Sequence, residues 1–135
     1  MRTMLRVLVL LIAVAPLSSF AYDPIKNLEN LPVPIRSDGG KYTAGEVKAA
    51  IIQGCKAKGW MPTLPEPNKV VASILVRNKH FAEVEIPFTP SSYSILYRSS
   101  KNLDYDEKHK KIHGNYNKWV ANLSQSIQLE FSKVR

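Results

Sequence analysis

Amide, carboxylate, phenol and imidazole side chains gather in one stretch of this 135-residue chain. Asn102, Asp104, Tyr105, His113, Asn115 and Asn117 fall in a polar segment and at the start of the apolar-periodic run that follows it. Amides orient hydrogen bonds and aromatic rings offer flat apolar contact, the combination that sugars and extended polar ligands require. Lys101, Lys108, Lys110 and Lys111 make the same stretch basic, which favours anionic partners. These six residues are the expected ligand-binding set. The competing account is structural: Asn115 caps a helix, Tyr116 and Trp119 fill a core, and Asn102 and Asp104 shape a loop.

Two other constellations invite chemistry. His109 and His113 are four apart, a spacing that on a helix presents two imidazoles to a metal ion, with Asp104 and Asp106 nearby. Lys108, Lys110 and Lys111 interleave them and raise the electrostatic cost of a dication, so no metal site is expected. Ser99, Ser100, His80, His113, Asp104 and Asp106 supply the residue types of a Ser-His-Asp hydrolase. Such triads are defined by geometry, and no Gly-x-Ser-x-Gly elbow is present. The expected function is therefore a non-catalytic binding or accessory protein. A small hydrolase using His113 or His80 is the alternative. No cofactor motif is present, and no cofactor is expected. Cys55, the only cysteine, lies on an apolar stripe where a thiol packs as an inert core residue.

Elements must position these groups. Thr43 followed by Glu46 is a capping box, and Val47, Ala50, Ile51, Gly54 and Cys55 recur behind it at helical spacing. Gly59 suits the left-handed position after the helix, and Gly54 on the stripe predicts close packing against a sheet. Trp60–Leu64, Lys69–Arg77, Phe81–Phe88 and Tyr93–Arg98 read as strands, with a hairpin turn at Asn78-Lys79. Residues 99–114 read as a loop. A second helix is expected from Asn115, as N-cap, to Lys133, with Tyr116, Trp119, Val120, Leu123, Ile127, Phe131 and Val134 on one face. Residues 22–42 carry Pro24, Pro32 and Pro34 and read as an extended lead-in with an edge strand at Leu31–Ile35. The expected fold class is α+β in two layers. An N-terminal helix and a C-terminal helix pack on the same face of a three- to four-stranded antiparallel sheet, in one domain at 43–135.

The first 21 residues read as a secretory signal peptide. Arg2 and Arg6 supply a positive start, Leu5 and the run from Val7 to Val14 supply a short apolar core, and Ser19-Phe20-Ala21 forms a small-residue cleavage site. That run is too short to span a bilayer, which takes about 20 residues. The expected location is periplasmic, with secretion as the alternative and no transmembrane segment after cleavage. The formal charge of +8 falls to +6 once Arg2 and Arg6 leave. Expected partners are an envelope protein, a glycan or an anionic polymer. No nucleic-acid module matches, and the sequence leaves the oligomeric state open.

Trp60, Leu75–Arg77, His80-Phe81-Ala82-Glu83-Val84-Glu85-Ile86, Tyr93-Ser94-Ile95-Leu96-Tyr97, Ser100-Lys101-Asn102-Leu103-Asp104-Tyr105 and Ile112-His113-Gly114-Asn115-Tyr116-Asn117-Lys118-Trp119 carry a resemblance. Over Trp60 to Ile127 the chain resembles a family of small, uncharacterised, exported proteobacterial proteins, some of them described as lipoproteins. The last two segments are the most specific. The resemblance implies an envelope location and a helix–sheet–helix plan, and it implies no activity. This chain departs from the lipoprotein members in having no cysteine at the cleavage site.

Overall fold

The computed structural model describes residues 22–133, so the expected leader at 1–21 and Val134 lie outside the described residues. The proline-rich lead-in contributes two short strands, β1 (Asp23–Pro24) and β2 (Leu28–Pro32). The edge strand expected at Leu31–Ile35 therefore begins earlier, where Leu28 pairs with Ile95, and stops at Pro32 opposite Ser92. Pro34 has no N–H with which to extend the ladder.

Helix α1 (Ala44–Ala57) starts where the capping box places it. The Glu46 amide donates to Thr43 Oγ1 at 3.1 Å, and the Thr43 amide donates to Glu46 Oε1 at 3.0 Å. Gly59 follows the helix at φ +78°, the left-handed conformation that favours glycine. Four antiparallel strands come next: β3 (Met61–Glu66), β4 (Lys69–Val76), β5 (His80–Pro87) and β6 (Ser92–Lys101). After a two-residue β7 (Lys111–Ile112) the described chain ends in α2 (Asn115–Phe131). The architecture is α+β, with a five-stranded antiparallel sheet ordered β2-β6-β5-β4-β3 and two helices among the described residues; β1 and β7 pair separately.

Several boundaries differ from the sequence reading, each for a physical reason. The sheet has five strands because the lead-in adds β2 to the free edge of β6. Strand β3 runs through Pro62 and Pro65, which an edge strand tolerates because only one side of it must donate to a neighbour. Trp60 turns inward instead of opening that strand, and is 2% exposed. Strand β6 continues past Arg98 because a bulge there breaks the two-residue period: Val84 pairs with Tyr97 and Glu83 with Ser99. The β4–β5 turn has its positive φ at Arg77 and Asn78, both +54°, in place of Asn78-Lys79. The expected loop at 99–114 contains the end of β6 and all of β7. Asn115 does not cap α2; it is the first helical residue, and Gly114 before it makes no side-chain cap.

Alternate sheet residues Val70, Ala72, Ala82, Val84, Ile86, Tyr93 and Ile95 join the apolar stripes of both helices in a single buried cluster. Gly54 is packed closely, but against α2 and not the sheet. A Cβ built there would lie 2.6 Å from Ile127 Cγ1, and Ser126 Oγ donates to the Gly54 carbonyl at 2.9 Å. Cys55 is fully buried beside it, and burial pushes its thiol up to about 12. No described helix is long and apolar enough to cross a membrane.

Candidate functional site

The six expected ligand-binding residues do not form one patch; the fold sends them to separate places. Asn117 clasps the lead-in to α2. Its Nδ2 donates to the Pro24 carbonyl at 2.9 Å, and its Oδ1 accepts from the Lys26 amide at 3.1 Å. Asn102, at φ +57°, brackets the β4–β5 turn. Its Nδ2 donates to the Lys79 carbonyl at 2.8 Å, and its own carbonyl accepts from His80 Nδ1 at 2.8 Å. Asp104 and Tyr105 line an open basin with Tyr22, His109 and Lys111. His109 Nδ1 bonds Asp106 Oδ2 there at 2.7 Å, which holds the Asp106 carboxyl below its ordinary value. His109 and His113 therefore border different depressions and do not share a helical face.

Tyr105 spends one ring face on Tyr97, with centroids 4.6 Å apart, and Tyr97 meets Tyr116 edge-on at 5.5 Å. Tyr97 Oη and Ser100 Oγ share a hydrogen bond of 2.8 Å, whereas the buried Tyr116 hydroxyl has no partner among the described atoms. An unmatched buried hydroxyl costs about 1–3 kcal/mol. Tyr116→Phe is therefore expected to raise the melting temperature. Burial also pushes the Tyr116 phenol above its ordinary value of 10.0. In the unfolded chain this phenol ionises first, so the stability tied to its neutral form is full below about pH 10 and falls as pH climbs beyond it. Tyr116→Phe should flatten that alkaline decline, which thermal melts from pH 7 to 11 would read. A variant that melts lower at pH 7 would mean the hydroxyl has a partner.

His113 and Asn115 remain together, and they meet His80. A cavity of about 390 Å³ opens where the β4–β5 turn approaches the start of α2. Arg77 comes from the turn, His80 from the first position of β5, His113 and Asn115 from the entry to α2, and Trp119 from the next turn of that helix. Val76 and Leu103 supply apolar lining. His80 is oriented by its Nδ1–H bond to the Asn102 carbonyl, which leaves Nε2 as an acceptor on the neutral ring. His113 is oriented the opposite way: its Nδ1 accepts the Asn115 amide at 3.2 Å, which leaves Nε2–H as a donor. The backbone thus fixes two imidazoles of complementary polarity in one depression. The lining includes no hydroxyl, thiol or carboxylate side chain. Asp106 and Ser100, two of the residues that the sequence offers to a Ser-His-Asp hydrolase, are engaged elsewhere with His109 and Tyr97.

The surroundings are basic. Arg77, Lys79 and Lys101 are all exposed at this end of the sheet, with Lys101 Nζ 5.8 Å from the Phe81 ring centroid. The nearby acids of β5 are already paired: Glu83 and Glu85 hold Arg98 at 2.9 and 3.3 Å.

Periodicity alone places Arg77 at the end of a strand and Trp119 in the core. Trp119 is half-buried, with one part against the core and another on the cavity wall. The available signal is the three-residue turn Arg77-Asn78-Lys79 between two apolar runs, which puts Arg77 at the same sheet end as the residues after β6. No family model, curated protein or solved structure matches this chain.

Proposed function

We propose that this protein is an exported, non-catalytic binding module of the bacterial cell envelope, periplasmic once residues 1–21 are removed, and that it takes a glycan ligand into the His80–His113 cavity. The signal-peptide pattern and the resemblance to exported proteins support the location. The observation that carries the binding reading is the cavity wall: the Trp119 indole beside one imidazole acceptor, one imidazole donor and the Asn115 side-chain amide. Flat apolar contact combined with oriented hydrogen bonds is what a saccharide surface matches. The volume sits within the roughly 300–1,000 Å³ range of small-molecule sites. The alternative, a hydrolase using His113 or His80, has two imidazoles but no hydroxyl, thiol or carboxylate in the lining to act with them.

The test is retention on immobilised envelope glycan, measured with melting on the same variants. Trp119→Phe and His113→Gln should weaken retention while melting shifts little. Asn117→Ala, which frees the lead-in, should instead lower melting and leave retention intact. Retention falling only in proportion to melting would make the cavity scaffold and sink the proposal.

A further inference from the structure

We infer that the group recognised in this cavity is anionic: a phosphate or carboxylate borne on a hexose-sized sugar, with Arg77 as its ion-pair partner. The inference rests on the binding reading above and adds the ligand's charge. Among the described residues, Arg36 and Arg98 each hold two carboxylates, and Arg77 holds none. Arg77 also sits at φ +54°, a left-handed conformation in which a side chain clashes with its own backbone and which asparagine or glycine adopts more readily. Such strain persists where the rest of the structure or the function demands the residue. A guanidinium at a cavity rim matches the planar, two-oxygen face of phosphate and carboxylate.

A second observation points the same way. Helix α2 has no acidic residue in its first turn; its leading amides are taken by His113 Nδ1 and the His113 carbonyl, neutral acceptors that bring no negative charge to the positive end of the dipole beside the cavity. His113 Nε2–H donates toward the same space, while His80 Nε2 is left to accept from a sugar hydroxyl. Arg77, His113 and the start of α2 favour negative charge, and no acidic side chain lines the cavity to oppose it.

The experiment is an NMR titration of the protein with glucose 1-phosphate, glucuronate and glucose, following the Trp119 indole and the Arg77 amide. Glucose 1-phosphate or glucuronate should bind at least about tenfold more tightly than glucose, because charge-assisted hydrogen bonds exceed neutral ones. Whichever of the two is tighter identifies the anionic group as phosphate or carboxylate. Arg77→Asn should remove that advantage while melting stays level or rises, since asparagine relieves the turn. Arg77→Lys should keep part of the advantage. Lys41→Gln removes the same charge next to Tyr42, which bonds the Phe131 carbonyl at the far end of α2, and should change nothing. Equal binding of glucose and its charged relatives, or an Arg77→Asn variant that keeps the preference, would overturn the inference and leave the binding reading standing. If none of the three sugars moves the Trp119 or Arg77 signals, the inference falls together with the saccharide reading.

Discussion

Gly54→Ala is expected to lower folding stability by about 2–3 kcal/mol, although alanine is the better helix former by about 1 kcal/mol. The added Cβ would lie 2.6 Å from Ile127 Cγ1, 2.8 Å from Ile127 Cα and 2.9 Å from Ile127 N. A side-chain atom can rotate away, but two of these three contacts are backbone. Relief therefore requires α1 and α2 to separate, and the separation stretches the Ser126–Gly54 hydrogen bond and loosens the stripe from Val47 to Cys55. Gly45, in the first turn of the same helix, supplies the control. A Cβ there meets only Thr43 Oγ1 at 3.8 Å, so Gly45→Ala should stabilise by up to about 1 kcal/mol. Urea unfolding of the two variants reads opposite shifts of the midpoint. A Gly54→Ala protein as stable as its parent would mean the helices do not approach as closely as described.

Phe131→Ala is expected to be the more damaging change, at about 3–5 kcal/mol, the range for deleting a buried aromatic side chain. Phe131 is 1% exposed and joins three parts of the fold. Its ring lies 5.3 Å from that of Tyr42, just before α1, and 6.1 Å from that of Tyr93 in β6. Its carbonyl receives the Tyr42 hydroxyl at 2.7 Å. With a total stability of roughly 5–15 kcal/mol, a loss of this size brings the domain close to unfolding. Phe131→Leu should lose less, because it keeps most of the apolar volume. Trp119→Ala should cost less than Phe131→Ala, since Trp119 is partly buried and keeps some of its surface on the cavity wall while Phe131 is wholly enclosed. If Trp119→Ala proved more harmful than Phe131→Ala under denaturant, the inward and outward faces of α2 would have to be exchanged.

Short-range signals were readable and long-range ones were not. The Thr43–Glu46 box, the Ala82–Phe88 alternation and the stripe from Tyr116 to Phe131 are local periodicities, and each formed the element it indicated. Arg98 shows where periodicity misleads: a bulge inserts one residue, the alternation loses phase, and β6 looks finished three residues early. Gly54 announced a close approach without revealing that Ile127, far along the chain, was the neighbour. The candidate site failed in the same way. His113 and Asn115 were visible as polar residues at a helix entry, but their company depends on the pairing of Val76 with His80 and on the Asn102 bracket. Asn117 and Asn102 have the residue type of ligand contacts, yet their amides close backbone gaps, which no local pattern distinguishes.

The prolines of the outer strands bear on how copies of this chain treat one another. A sheet edge with a full row of free donors invites a strand from a neighbouring molecule, and repetition of that contact builds aggregates. Here β3 interrupts its row at Pro62 and Pro65. On the opposite border, β2 is kinked by Asn30 at φ +52° and closed by Pro32. Neither border offers an incoming strand a continuous template. Substituting Pro62 and Pro65 with threonine would restore donors along a flat outer strand, so this sheet resists polymerisation through residues that take no part in its cavity.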